Sequence, residues 1–469
     1  MFCAIEHGNF EVAKLFLRKR VKITDKNENS KNIIEYLLNK EKLNVDNFLF
    51  ILNINKDTSL ITSEALCFLI QNYNTSNFSY IKILKIIFQY KFYDVQFIKN
   101  VLFLRKKRNG ISDKEFKKLI FYGNNSIIKL NEKNGNNNYP LLLAVINNDI
   151  ELTQLLISYA KKNNFILEIN EKNSNNDYPL LSAIKNNNIE LVDLLIGYAK
   201  ENNIILEINR TNDLGYYPLL SAIKKNNIKL VHLLINYTKE NKIILELNRN
   251  NIYGESPFFY SIYNKNIEMV HLLINYSKTN NIILKINKKN NYGEYPLLNA
   301  VSKDNIEIVQ LLINYAKENN IILEINEKSN DGYFPLLYST IENNTEMVHL
   351  LIKYANENNI TLKINEKNFD GYYPFIYAVY NNNIEIVKLL INYAKMNKII
   401  LEMYEKDYLC NYLLLLSTRY NDIEIVQLII DYTLENNIIF NREKVKKEIY
   451  LCLNFIDDNL RQLLIEFFE

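Results

Sequence analysis

The chain has 469 residues, 48% of them apolar, with 34 tyrosines, 23 phenylalanines and no tryptophan, which is ample material for a buried core. Its 56 basic and 53 acidic side chains are well mixed and leave a net charge of +3, which argues against a dedicated nucleic-acid or membrane surface. Cys3, Cys67, Cys410 and Cys452 are scattered with no CxxC pair, which argues against a disulfide framework or a metal site and fits thiols in a reducing compartment.

In chain order, the stretch from Ala4 to Phe16, AIEHGNFEVAKLF, reads as a helical hairpin. No basic start followed by an apolar core marks a signal peptide, and no run of about 18 apolar residues marks a membrane span. Residues 20–129 keep the hairpin rhythm, with helices expected over Ser30–Asn39, Val45–Ile54, Thr62–Tyr73, Ser79–Tyr90, Val95–Lys106 and Ser112–Tyr122. Ser112 and Glu115 make a capping box. Arg105 to Arg108 is a basic cluster at a helix end, read as a solvated end favoured by the helix dipole rather than as a nuclear signal or phosphate site.

From residue 130 the chain becomes periodic. Its seven prolines, Pro140, Pro179, Pro218, Pro257, Pro296, Pro335 and Pro374, each lie 39 residues from the next, and Leu413 stands at the place of an eighth. A fixed period of this size marks a repeat array. Proline suits the first position of a helix, where its missing N–H costs nothing. Four residues later only alanine or serine occurs, as at Ala144, Ala300 and Ser339, which places two helices in close contact. Nine residues after the proline comes Asn or Asp, as at Asn188, Asn305 and Asp422, a strong helix N-cap. A second helix follows with Ile308, Val309, Leu312 and Ala316 at helical spacing. It is expected to stop at Asn319, because Asn tolerates the left-handed conformation that ends helices. An apolar run, IILEIN, leads to a polar tip in which Gly215, Gly254, Gly293, Gly332 or Gly371 supplies a positive φ three residues before the next proline. Beyond residue 437, Lys444–Phe455 and Leu460–Phe468 form one more pair whose charges suit a terminal cap.

The unit resembles an ankyrin repeat. Asp331-Gly332-Tyr333-Phe334-Pro335-Leu336-Leu337 stands where that family has D-G-x-T-P-L-H, and Glu307-Ile308-Val309-Gln310-Leu311-Leu312 stands for its second helix. The resemblance implies an all-α, ankyrin-type helical-hairpin solenoid with short hairpin turns between repeats. It would comprise degenerate repeats over 1–129, eight regular repeats over 130–437 and a capping pair over 438–469, about thirteen helix pairs in all. The unit exceeds the usual ~33 residues, and the excess falls after the Leu-Leu pair, so the second helix is expected to be longer. Tyr or Phe replaces the Thr before most of the prolines and Leu the His, so apolar packing is expected to replace the hydroxyl–imidazole hydrogen bond of the family. In repeat phase Met1 falls just after a proline position, and sequence upstream of Met1 is therefore expected.

Little in the sequence suggests catalysis. His232, His271 and His349 share one register position held elsewhere by Gln154, Asp193 or Lys388, a polar surface slot rather than a zinc site. Tyr159, Tyr198, Tyr237, Tyr276, Tyr315, Tyr354, Tyr393 and Tyr432 fill one slot in all eight units and are expected to pack against the neighbouring repeat with the hydroxyl at the rim. No Gly-rich phosphate loop, nucleophile elbow or HExxH is present.

The resemblance further implies that the first-helix face and the tips line the surface that grips partners. Those positions are polar or basic early (Ser182, Lys185, Asn186, Ser221, Lys224, Lys225) and aromatic later (Tyr260, Tyr263, Tyr338, Tyr377, Tyr380, Tyr420), with tip residues Tyr333 and Tyr372 continuing the trend. The expected function is a protein–protein interaction scaffold with no catalytic activity, cofactor or metal. It would be a monomer inside the cell, in the cytoplasm or the nucleus. Its protein partner would dock across Tyr260, Tyr263, Tyr333, Tyr338, Tyr372, Tyr377 and Tyr380. Two alternatives stand beside it: a solenoid that binds nucleic acid through its lysines and tyrosines, and a fragment of a larger protein whose activity lies N-terminal to Met1.

Overall fold

The computed structural model describes residues 1–19, 21–55, 60–62, 130–131, 133, 135–162, 164–402, 417, 422–438 and 457–468, with residues 65, 68–69, 82–83 and 86–87. All regular structure among them is helical. The chain divides into two compact bodies, residues 1–213 with 229–243 and residues 214–228 with 244–469.

The first body opens with a hairpin of Phe2–Glu6 and Phe10–Arg18, capped at Asn9, whose side chain accepts from the Val12 amide. Ile33–Asn39 and Val45–Asn55 follow. The first of these starts later than the sequence suggests. Asn32 and Glu35 form a capping box there, and Ser30 has φ 57°, which no right-handed helix accommodates. The helices expected between Thr62 and Tyr122 fall largely outside the described residues, as do the basic cluster and the Ser112 capping box. The body continues with the repeats Pro140–Ile146 with Ile150–Lys162 and Pro179–Lys185 with Ile189–Glu201, and it takes in most of the helix Ile228–Asn241.

The second body begins with Pro218–Lys224 and, among the described residues, holds four complete helix pairs: Pro257–Tyr263 with Ile267–Thr279, Pro296–Ser302 with Ile306–Glu318, Pro335–Ile341 with Thr345–Glu357, and Pro374–Tyr380 with Ile384–Met396. Ile423–Glu435 and Asp458–Phe468 follow. The first helix of the eighth repeat and Lys444–Phe455 lie outside the described residues. Within the body, first helices pack along first helices and second helices along second helices.

Local chemistry explains each boundary. Every repeat proline sits at the start of its helix, and Asn188, Asn266, Asn305, Asn344 and Asn383 cap the second helix by accepting from the amide three residues on. The small residue between the two helices is buried completely at Ala144, Ala183, Ala222, Ala300 and Ala378. The end of the second helix differs from expectation. Asn319 keeps a negative φ of −105°, and its side-chain amide donates to the Tyr315 carbonyl at 2.8 Å. The left-handed residue is the next one, Asn320, and at the equivalent place Lys242 and Lys398 serve as well. The turn is imposed by closure of the helix, with the Ile321 amide returning to the Ala316 carbonyl at 2.8 Å, so asparagine is not required for it. The tip glycines do have positive φ, and the tips stack closely: a Cβ on Gly293 would lie 2.7 Å from the Asn330 backbone nitrogen.

Three ladders of polar side chains join consecutive repeats. In the first, the second-helix tyrosine accepts from a leucine amide in the apolar run of the preceding repeat: Leu206 to Tyr237 at 2.8 Å, Leu284 to Tyr315 at 2.9 Å, Leu323 to Tyr354 at 2.9 Å and Leu362 to Tyr393 at 2.8 Å. These hydroxyls are therefore bonded inside, not at a wet rim. In the second, the tyrosine before the proline donates to carbonyls beyond its own helix pair: Tyr178 to Glu207 and Arg210, both at 2.8 Å, and Tyr295 to Glu327 at 2.9 Å. A hydrogen bond thus replaces the family's threonine hydroxyl, not apolar packing alone; among the described residues Phe334, which has no hydroxyl, relies on packing there, and the Ser256 hydroxyl caps its own helix instead. In the third, the asparagine ending the apolar run clips onto the next repeat's backbone. Asn287 donates to the Ile322 carbonyl at 2.6 Å and accepts from the Glu324 amide at 3.3 Å, and Asn326 does the same with Thr361 and Lys363. Ion pairs such as Lys278–Glu318 and Lys395–Glu435 cross repeats too, but they are half exposed and contribute little.

Two outcomes test this architecture. Tyr315→Phe leaves the buried Leu284 amide without an acceptor and lowers stability by ~1–3 kcal/mol, more than Asn305→Ala, which removes one cap for about 1 kcal/mol; urea unfolding of both variants ranks them. Alkaline melting tests the second ladder. Burial pushes the hydroxyls of Tyr139, Tyr178, Tyr217 and Tyr295 well above their ordinary value, so folding holds them protonated. Their contribution is intact below about pH 10 and is lost as the pH rises above it, by ~1.4 kcal/mol per pH unit for each tyrosine. The melting temperature should hold up to that pH and then drop steeply.

Candidate partner-binding face

Three register positions, two before the proline and three and six after it, meet on the first-helix face. In the Pro179 repeat they are Asp177, Ser182 and Lys185, and Lys185 pairs with Asp177 at 2.7 Å. In the Pro218 repeat they are Tyr216, Ser221 and Lys224, and the Lys224 ammonium donates to the Tyr216 hydroxyl at 2.5 Å. In the Pro257 repeat they are Glu255, Tyr260 and Tyr263, and the Tyr260 hydroxyl donates to Glu255 at 2.5 Å. The Pro296 repeat places Glu294, Asn299 and Ser302 there. The last two described repeats are the most aromatic. Tyr333 and Tyr338 stack with centroids 4.8 Å apart, and Tyr372 and Tyr377 lie 5.3 Å apart, tilted by 48°.

The expected partner-binding residues are not equally accessible. Tyr263 and Tyr380 are 49% exposed. Tyr333, Tyr338, Tyr372 and Tyr377 are half-buried. Tyr260 departs from expectation: it is buried, 7% exposed, because its ring packs edge-on against Phe259 and its hydroxyl is bound to Glu255. Tyr420 lies outside the described residues. Among the early polar positions, Ser182 and Ser221 are buried, and Asn186 is committed to the Val145 carbonyl of the preceding repeat at 2.7 Å; Lys224 and Lys225 are exposed.

Electrostatics divide the face. Lys224 lies 4.5 Å from the Tyr216 ring centroid and 5.3 Å from that of Tyr260, and Lys303 lies 5.0 Å from that of Tyr263. Further along, the tyrosines have carboxylates for neighbours. Burial raises the Tyr338 hydroxyl, and the negative fields of Glu294, Asp331 and Glu342 raise it further after that of Tyr333. Tyr377 is pushed up to about 12, first by burial and then by Tyr333, Tyr372 and Asp370. The cation seat at Lys224 escaped the sequence reading, although tyrosine two residues before the proline in Tyr216, Tyr333 and Tyr372 is a signal that points to it.

His232, His271 and His349 are exposed on second helices. Among the described residues, no group of three or more histidine, cysteine or acidic side chains is placed to hold a metal ion, and no helix is long and apolar enough to cross a membrane.

Comparison with known proteins agrees with this architecture. The family model for ankyrin repeats in three copies matches residues 108–206, 202–285 and 277–364, and the single ankyrin repeat model matches 370–399. These matches span more than half of the chain, which therefore belongs to the ankyrin repeat proteins. Ankyrin repeats are generally protein–protein interaction modules. Among solved structures, the chain is similar to the ankyrin repeat domain of Bcl-3, a member of the IκB family, at 18% identity and a TM-score of 0.38, over 54% of this chain and 98% of that one. It is also similar to an ankyrin repeat domain from Acinetobacter baumannii AYE at 23% identity and a TM-score of 0.36, over 46% and 98%. No curated protein matches the chain.

Proposed function

We propose that this chain is a non-catalytic interaction scaffold and that a protein partner docks on the first-helix face of its later repeats. The partner would lie across Tyr263, Tyr333, Tyr338, Tyr372, Tyr377 and Tyr380, with the buried Tyr260 packed edge-on against Tyr263. One observation carries the reading. The tyrosines of the two inter-repeat ladders are consumed by backbone hydrogen bonds, whereas these rings remain half-buried or exposed on one face. Tyrosine offers large contact area at small entropic cost, keeps a hydroxyl for specificity, and is enriched where binding energy concentrates. The Glu294, Asp331 and Glu342 carboxylates beside Tyr338 repel phosphate and count against a nucleic-acid partner. A reducing, cytoplasmic setting fits the scattered cysteines.

The test is affinity capture from a cell lysate with identification of the bound proteins, run with the natural chain and with Tyr338→Ala/Tyr377→Ala. The double variant should lose the captured partner, weakening its binding by ~2 kcal/mol or more, with an unchanged melting temperature. Retention of the same partner at the same affinity refutes the proposed face.

A further inference from the structure

The chain carries its own example of how a cation sits on this face. Lys224 rests over the rings of Tyr216 and Tyr260, 4.5 and 5.3 Å from their centroids, with Glu255 bound to the Tyr260 hydroxyl. The ammonium donates to the Tyr216 hydroxyl, and the two electron-rich rings and the carboxylate bound to Tyr260 make its surroundings negative. Three repeats on, the same two register positions are again tyrosines: Tyr333 stands where Tyr216 does, and Tyr377 where Tyr260 does. The position of the cation has changed, because Ile341 stands in place of Lys224.

The surroundings nevertheless suit a cation. Tyr338 adds a third ring, stacked 4.8 Å from Tyr333. Asp331, Asp370 and Glu342 are exposed alongside, and among the described residues no ammonium or guanidinium forms an ion pair with any of them.

We infer that the face around Tyr333, Tyr338 and Tyr377 receives an arginine or lysine side chain of a basic, extended segment of the protein partner, in the place that Lys224 fills three repeats earlier. The inference rests on the docking face proposed above and specifies the chemistry of what docks there. Charge complementarity selects the occupant: the carboxylates attract a basic segment and repel an acidic one.

The experiment uses the full chain and three labelled dodecapeptides that alternate serine with arginine, glutamine or glutamate, titrated by fluorescence anisotropy at low salt. The arginine peptide should bind about tenfold more tightly than the glutamine peptide, and the glutamate peptide should not bind. Tyr333→Phe keeps the ring but removes the hydroxyl that corresponds to the Lys224 acceptor on Tyr216, and should weaken binding by about threefold. Tyr333→Ala should weaken binding roughly fivefold. Ile341→Lys, which rebuilds the resident cation, should weaken it by a similar factor, and circular dichroism checks that the fold is kept. Lys225→Ala, away from the site, should change nothing. A glutamine or glutamate peptide that matches or outbinds the arginine one, yet is lost on Tyr338→Ala, overturns the cation assignment and leaves the docking face standing. Arginine binding indifferent to Tyr333→Ala, Tyr338→Ala and Ile341→Lys overturns both. If none of the peptides binds, the cation assignment falls and the capture experiment alone judges the face.

Discussion

A peptide N–H that is buried between two packed repeats must find an acceptor, or the junction pays the full cost of its desolvation. At Leu206, Leu245, Leu284, Leu323 and Leu362, each at most 2% exposed, that acceptor is a tyrosine hydroxyl of the following repeat. The leucine belongs to an extended run with no strand partner, so helix and sheet ladders are not open to its amide. The hydroxyl reaches it only because the tyrosine projects from a second helix seated directly against the run. Correct seating of one repeat on the next is thereby coupled to satisfaction of a buried backbone group, which is how nearest-neighbour contacts give a repeat array its cooperativity.

The other ladders extend the same logic to the remaining backbone groups. The tyrosine before the proline ties the start of a repeat to the carbonyls beyond its second helix, as Tyr178 does with Glu207 and Arg210. The asparagine that closes the apolar run offers one acceptor and one donor in the spacing of a peptide group, and Asn326 uses both on Thr361 and Lys363. A chain so rich in asparagine and tyrosine is thus using each at fixed register, the asparagine amide as a surrogate strand and the tyrosine ring as packing with a polar end. Because the second helices, the runs and the pre-proline positions hold the repeats together, the first-helix positions are left to vary. They run from Lys185 and Lys224 early to the tyrosines around Tyr338 and Tyr377.

Much of the fold was legible in the sequence because the 39-residue period repeats each decision. Seven prolines on one spacing locate the first helices, and asparagine nine residues later locates the caps at Asn305 and its equivalents. What escaped was long-range pairing between polar groups. No periodicity reveals that the Tyr315 hydroxyl meets the Leu284 amide, or that Asn287 clips to Ile322, since donor and acceptor lie 31 and 35 residues apart and one partner is backbone. The left-handed residue was placed one position early for a related reason. Residue preference favours asparagine at both Asn319 and Asn320, and only the closing hydrogen bond to Ala316 decides between them. At the candidate face the aromatic positions were readable, but burial was not. Tyr260 occupies the same register as Tyr338, yet Glu255 and Phe259 enclose it while Tyr338 stays half open.

Native-state hydrogen exchange, resolved by residue in the natural chain and in Tyr315→Phe, tests the central claim that tyrosine hydroxyls hold the repeat junctions through buried leucine amides. The Leu206, Leu245, Leu284, Leu323 and Leu362 amides should exchange as slowly as helix-core amides of the same repeats. In Tyr315→Phe the Leu284 amide should lose that protection first and by the largest factor, with Leu206 in the other body unchanged. Exchange of these leucine amides at the rate of exposed loop amides in the natural chain, or protection of Leu284 undiminished in the variant, would contradict the account.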